Sequence, residues 1–339
     1  PFYIACYKGH LKIVELLIKD QRVDVNKPNS NGFTPLNVAC FSGKIEIVKV
    51  LLNDSRVEIN KAEKRNLTPL YFACYSGHPQ IVKLLLEKEN VDVNQAGEFD
   101  KTTALFTACS HGHIEIVEML LNDKRVDPNL ADVDGETPFN VACGSGHLEM
   151  VKLFLNDKRV DINKQKNFGP TRIYLFNDSS GSTPLISACK KGHIEIVKLL
   201  LSDERVEVNG GDTLGRTAFW VACGTRNIEF VKLFLNDKRT DINKPNNDGV
   251  TPLVHALKSA HMETMKFILA SEKDVDLTTK DKDGNTVIDF SRASNQMGVA
   301  ELFESFSQNS IETREKLRKE LGLSSKFYFF SFFLSFLFF

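Results

Sequence analysis

Residues 34–53 read Thr34-Pro35-Leu36-Asn37-Val38-Ala39-Cys40-Phe41-Ser42-Gly43-Lys44-Ile45-Glu46-Ile47-Val48-Lys49-Val50-Leu51-Leu52-Asn53. Thr followed by Pro is a helix start: the hydroxyl caps free N–H groups of the first turn, and Pro at the first helical position has no N–H to leave unpaired. The small pair Ala39-Cys40 suits a helix face that a neighbour must approach closely. Gly43 suits the left-handed conformation that ends a helix. From Ile45 onward apolar residues recur at helical spacing, leaving Glu46 and Lys49 for solvent. Glu46 in the first turn also suits the positive end of the helix dipole. The stretch predicts two short helices joined by a tight turn.

The same pattern recurs along the chain. Ala-Cys stands at Ala5-Cys6, Ala39-Cys40, Ala73-Cys74, Ala108-Cys109, Ala142-Cys143, Ala188-Cys189 and Ala222-Cys223, in steps of 34, 34, 35, 34, 46 and 34 residues. One further step of 34 reaches Ala256, followed by Leu257. All seven cysteines therefore occupy one position of one repeat. Thr-Pro-Leu or a close variant recurs at Thr34, Thr68, Thr137, Thr183 and Thr251, and Thr103, Thr217 and Thr286 begin degraded copies. Val25-Asn26, Ile59-Asn60, Val93-Asn94 and Ile242-Asn243 mark a short extended piece before a glycine turn such as Gly32 or Gly249. A two-helix unit of this size cannot bury its apolar face alone, whereas stacked copies can.

Thr34-Pro35-Leu36, Gly77-His78, Asp24-Val25-Asn26 and the run Ile196-Val197-Lys198-Leu199-Leu200-Leu201 resemble the ankyrin repeat over residues 1–306. The resemblance implies an all-α helix-turn-helix solenoid with short β-turn or hairpin tips. About eight repeats and a terminal capping repeat would form a curved stack, with turn tips and first helices lining a concave binding surface. The chain departs from the family pattern in places. Most units run 34 residues rather than the usual 33, the extra residue falling in segments such as Asn53-Asp54-Ser55-Arg56-Val57. The His that usually follows Thr-Pro-Leu is replaced by Asn37, Tyr71, Phe106, Asn140, Ile186, Trp220 and Val254, which questions the family's His–Thr hydrogen-bond ladder but not the fold. Arg226 and Ala260 stand where a helix-ending glycine is expected, at a cost of about 1 kcal/mol for left-handed geometry. Their units are expected to open first.

Composition narrows the function. The 339 residues carry 43 Lys and Arg against 44 Asp and Glu, a net charge of −1, with 42% apolar residues. That is globular composition, and without a basic excess no nucleic-acid partner is expected. No secretory signal follows Pro1, and no internal apolar run reaches the roughly 18–20 residues of a membrane span. Metal ligands need close pairs such as C-x2-C, yet no two cysteines lie nearer than 34 residues. Packed helices also hold backbones roughly 8–10 Å apart, beyond the reach of a disulfide. The cysteines read as small core residues in a reducing compartment, the cytosol or nucleus. Five of the eight histidines, His10, His78, His113, His147 and His193, follow the turn glycine and are expected to satisfy backbone groups. His111 and His113 have no third ligand in reach by sequence. No GxxxxGK[ST], HExxH or GxSxG motif is present, and 210–215 is glycine-rich but lacks the lysine and strand context of a phosphate loop. No enzyme, cofactor, metal or small-molecule substrate is expected.

Binding is the remaining class. The residue after Ala-Cys is Tyr7, Phe41 and Tyr75 in three successive units, in register for an apolar stripe at the N-terminal end, with Phe33 and Phe99 at turn tips to extend it. The competing reading is that these rings lean across their helices and pack on neighbours. The 46-residue step places an insertion at about 165–182 that contains Arg172, Ile173, Tyr174, Leu175 and Phe176; such a loop either meets a partner or is a lengthened tip. Residues 307–326 read as a charged helical tail. Residues 327–339 hold eight Phe among thirteen residues, too short for a bilayer core of roughly 30 Å, and match a T-rich tract read through more closely than an anchor. The sequence thus points to a monomeric, non-catalytic scaffold or adaptor for a partner protein. Its rivals are the targeting module of a larger enzyme or channel and a tail-anchored adaptor.

Overall fold

The computed structural model describes residues 1–166, 181–294 and 297–323, the Met297 side chain excepted. The insertion residues Arg172, Ile173, Tyr174 and Phe176, and the Phe-rich segment 327–339, lie outside the described residues. The chain divides into two units, Pro1–Ile196 and Val197–Phe339.

Unit 1 is built from helical hairpins: α1 (Phe2–Lys8) with α2 (Leu11–Ile18), α3 (Pro35–Phe41) with α4 (Ile45–Leu52), and α5 (Pro69–Tyr75) with α6 (Pro79–Leu86). They continue with α7 (Ala104–Ser110) and α8 (Ile114–Asn122), α9 (Pro138–Ser145) and α10 (Leu148–Asn156), and α11 (Pro184–Lys191). The division between units falls inside α12 (Ile194–Leu201). First helices pack in one row, α1 on α3 and so on to α11, and second helices α2, α4, α6, α8 and α10 in another. The close approach of first helices is what the small pairs permit: Ala39, Cys40, Ala73, Cys74, Ala108, Cys109, Ala142 and Cys143 are fully buried.

Each first helix of the Thr type begins as the sequence demands. Thr34 Oγ1 accepts from Asn37 N, Thr68 from Tyr71, Thr103 from Phe106, Thr137 from Asn140 and Thr183 from Ile186. The residues that replace the expected His take over part of the contact between copies. Asn37 Nδ2 donates to Lys61 O at 3.3 Å and Asn140 Nδ2 to Lys164 O at 2.8 Å. Glycine is required at the turns: Gly77 has φ +70°, and a Cβ there would lie 2.6 Å from His113 Cε1. The turn histidines do serve the backbone. Nε2 of His78, His113 and His193 reaches back to the carbonyls of Phe41, Tyr75 and Gly144 at 3.2, 3.3 and 3.0 Å.

The tips are turns closed by side chains, as when Asn29 Oδ1 accepts from Asn31 N and Phe33 N, or Asp132 Oδ1 from Asp134 N and Glu136 N. In most copies the loop that holds the extra residue has its own Asp–Arg device. Asp157 Oδ1 caps Arg159 N, the two side chains pair at 2.6 Å, and the guanidinium donates to Leu121 O and Val126 O of the preceding copy. Arg56 does the same to Ile18 O and Arg125 to Leu86 O. Asn26, Asn60, Asn94 and Asn129 form a parallel ladder, each donating to a carbonyl of the next copy, such as Arg56 O, and accepting from a backbone N–H there.

Unit 2 holds the rest of α12, then α13 (Ala218–Gly224), α14 (Ile228–Asn236), α15 (Pro252–Lys258), α16 (Met262–Ala270), α17 (Val287–Ala293), α18 (Met297–Gln308) and α19 (Ser310–Glu320). Here α13 packs on α15 and α15 on α17, while α14 packs on α16. Arg239 and Lys273 repeat the carbonyl contacts, Arg239 to Leu201 O and Lys273 to Asp237 O and Thr240 O. The charged stretch of α19 is packed against α16 and α18, and its Arg314 and Arg318 reach the C-terminal carbonyls of α16 at Leu269 and Ala270. Gly211 and Thr217 form an isolated antiparallel bridge at a tip, and no β-strand occurs among the described residues.

The two expected strained positions part company. Ala260 has φ +56°, in the left-handed region. Arg226 does not: the chain leaves α13 extended at Thr225 (φ −86°, ψ 156°), Thr225 Oγ1 bonds Ala222 O, and the Asn227 side chain caps Glu229 N. An extended exit removes the need for a positive φ, so the expected penalty falls on Ala260 alone.

Candidate partner-binding surface

Three first helices of unit 1 carry an exposed aromatic residue in their last turn. Tyr7 is 46% exposed, Phe41 42% and Tyr75 43%, values between a core ring and a solvated one. Two of the rings, Phe41 and Tyr75, rest on neighbouring rings. Phe41 meets Phe72 edge-on with centroids 6.1 Å apart and lies nearly parallel to Tyr75 at 6.3 Å. Tyr75 lies nearly parallel to Tyr71 at 6.3 Å and rests against the His111 ring at 4.6 Å. Phe41 and Tyr75 therefore pack on neighbouring rings and still keep an exposed face.

Of the tip residues, Phe33 joins the row, its half-buried ring 4.9 Å from Phe72. Phe99 does not. It is 70% exposed at the third tip, and no ring contact involves it among the described residues. Tyr7 has Lys8 Nζ 5.4 Å from its ring centre and likewise makes no ring contact with Phe41. Sequence reasoning missed Phe72, Tyr71 and His111. Tyr71 and Phe72 precede Tyr75 by four and three residues, the spacing that puts side chains on one helix face, so that signal was present. The approach of Phe33 to Phe72 had no sequence signal, because it joins a turn to the next copy's helix.

The seven cysteines are buried and form no disulfide. Burial pushes the Cys6 thiol up to about 12, and Cys40, Cys74, Cys143 and Cys189 are raised further by the same cause, so none is a ready thiolate. Among the described residues no group of three or more His, Cys, Asp or Glu is placed to hold a metal ion. Grooves of about 550 and 690 Å³ recur at equivalent places, one lined by Leu121, Leu153 and Arg159 and one by Leu201, Leu233 and Arg239, a product of the repeat itself. No helix among the described residues is long and apolar enough to cross a membrane.

A search of curated proteins gives no significant match. The family described as "Ankyrin repeats (3 copies)" matches residues 1–63, 56–132, 89–166, 124–212, 170–246, 203–281 and 222–310, overlapping windows that cover the helical hairpins of both units. With its capped hairpins, left-handed turn glycines and 34-residue period, the chain belongs to the ankyrin repeat family.

Proposed function

We propose that unit 1 is a docking module for a partner protein and that the chain works as a non-catalytic, monomeric scaffold or adaptor. Ankyrin repeats are generally protein–protein interaction modules, which is the setting for this reading. The observation that carries it is the row Tyr7, Phe41 and Tyr75, half-exposed in three successive copies, with Phe41 braced by Phe72 and Tyr75 by Tyr71. Rings held in place and left partly open bind at low entropic cost, which is why aromatics anchor interfaces. Seven buried thiols without a disulfide support a reducing compartment, the cytosol or nucleus.

The test is capture of partners by the wild-type chain and by Tyr7→Ala/Phe41→Ala/Tyr75→Ala. The triple variant is expected to lose them while keeping its helical circular dichroism. Retention of the same partners by the folded variant removes the row as the docking site.

A further inference from the structure

We propose that the occupant of the aromatic row is an acidic peptide segment, its apolar side chains lying on Phe33, Phe41 and Tyr75 and its carboxylates meeting cations on both flanks. This rests on the docking reading above and adds the chemistry of the partner.

One flank is the line of turns after the first helices. Segments 7–10, 41–44, 75–78 and 110–113 hold Lys8, Lys44, His10, His78, His111 and His113, and no Asp or Glu. Lys44 crosses toward the first turn, its Nζ 3.6 Å from where a Cβ on Gly9 would sit. Its ammonium therefore lies between the first two layers of the row.

The other flank is the pair of tips that hold Phe33. Tip 27–33 carries Lys27 and no carboxylate. Tip 61–67 carries Lys61, which pairs with Glu58 at 3.0 Å, and Lys64 and Arg65 against a single carboxylate within the tip, Glu63. Glu63 is 7% exposed, and its Oε1 accepts from Arg65 N at 2.9 Å and lies 3.6 Å from Arg65 Nε, so it offsets Arg65 and leaves Lys64 as the open cation of this tip. Lys64 is exposed, and its backbone N lies 2.8 Å from where a Cβ on Gly32 would sit, directly beside Phe33. At the third tip the sign changes, with exposed Glu98 and Asp100 on either side of Phe99. The cationic lining thus spans the first two layers and stops.

Cations on both sides of an apolar strip favour an anionic partner that also has side chains to bury. They raise its association rate and reject basic sequences. A nucleic acid fits less well, since phosphate tracking needs a long run of cations and the chain as a whole carries a net charge of −1.

The test is selection of phage-displayed random twelve-residue peptides on the full chain, followed by affinities of the recovered peptides. The expected pool is enriched in Asp and Glu together with Phe, Trp and Leu. Its members should lose binding to Phe41→Ala/Tyr75→Ala and weaken at least tenfold on Lys8→Glu/Lys64→Glu, two exposed positions whose exchange leaves the core untouched. Binding should also weaken as sodium chloride rises from 50 to 500 mM. Peptides that need Phe41 and Tyr75 but are neither acidic nor sensitive to the lysine exchange overturn this proposal and leave the docking reading standing. A pool indifferent to Phe41 and Tyr75, or no selection at all, overturns both. Displacement of the peptides by a single-stranded oligonucleotide or by phosphatidylserine vesicles, with higher affinity than any peptide, overturns the peptide assignment. Should Phe41→Ala/Tyr75→Ala lose helicity, the lysine exchange alone decides.

Discussion

Replacing Arg159 by Met keeps an apolar stem and removes a guanidinium that ties one copy to the one before it. The side chain gives up bonds of 2.6 Å to Leu121 O and 2.9 Å to Val126 O, and Asp157 loses its partner at 2.6 Å. Bonds from a charged donor contribute about 1.5–3 kcal/mol each when buried. Arg159 is 34% exposed, so water replaces part of what is lost, and halving the sum gives about 2 kcal/mol. At 1.4 kcal/mol per factor of ten, that is about 30-fold faster amide exchange across residues 114–126 and 148–162 under native conditions. The first copy supplies its own control. Arg22 pairs with Asp20 in the same way, is 90% exposed, and bonds no carbonyl of another copy among the described residues. Arg22→Met should leave exchange in residues 11–24 unchanged. Equal effects of the two substitutions, or less than threefold for Arg159→Met, would show that the arginines serve only their own loops.

Further outcomes follow from particular residues. Ala260→Gly relieves a left-handed alanine and should raise the urea midpoint of unit 2 by the equivalent of about 0.5–1 kcal/mol, whereas Gly77→Ala, at φ +70° with His113 in the way, should lower that of unit 1; the same sign for both would count against the backbone argument. Hydrogen bonds from arginine hold the Asp54, Asp123, Asp157 and Asp203 carboxyls below their usual range, so their contribution is complete above about pH 4 and is lost as pH falls through the lower folded values. Arg159→Met should flatten that acid limb, and an unchanged limb contradicts the assignment. Burial, aided by Arg216, lowers His255 to about 4, so its contribution to unit 2 is complete above about pH 6.5 and declines from there toward pH 4. His255→Phe should remove that slope in a pH series of thermal melts. Thiol reagents at pH 8 should label no cysteine until denaturant is added, and one fast-labelling thiol would contradict the burial of all seven.

Much of the architecture was legible because a repeat states its rule many times. Thr, in most copies before Pro, marked the first helices from α3 onward, and in the structure its hydroxyl caps them. Ala-Cys marked the face where neighbours close in. Three of the turn histidines, His78, His113 and His193, are backbone partners as expected, although the carbonyls they reach belong to the copy before and not to their own turn. Arg226 misled because sequence position was taken to dictate a left-handed residue, while Thr225 offered an extended exit. The surface was legible in part. Register alone pointed to Tyr7, Phe41 and Tyr75, and turn-tip position added Phe33 and Phe99, of which Phe33 meets Phe72 and Phe99 is left exposed.

Local chemistry thus determined by itself where most first helices start and stop and which face is apolar, because capping, glycine turns and helical period act over a few residues. What joins residues some 30 to 40 positions apart was decided only by the stacked copies. Arg159 finding Leu121 O, Asn129 finding Arg159 O and Phe33 finding Phe72 all depend on one hairpin lying against the next, a contact that no short stretch of chain encodes.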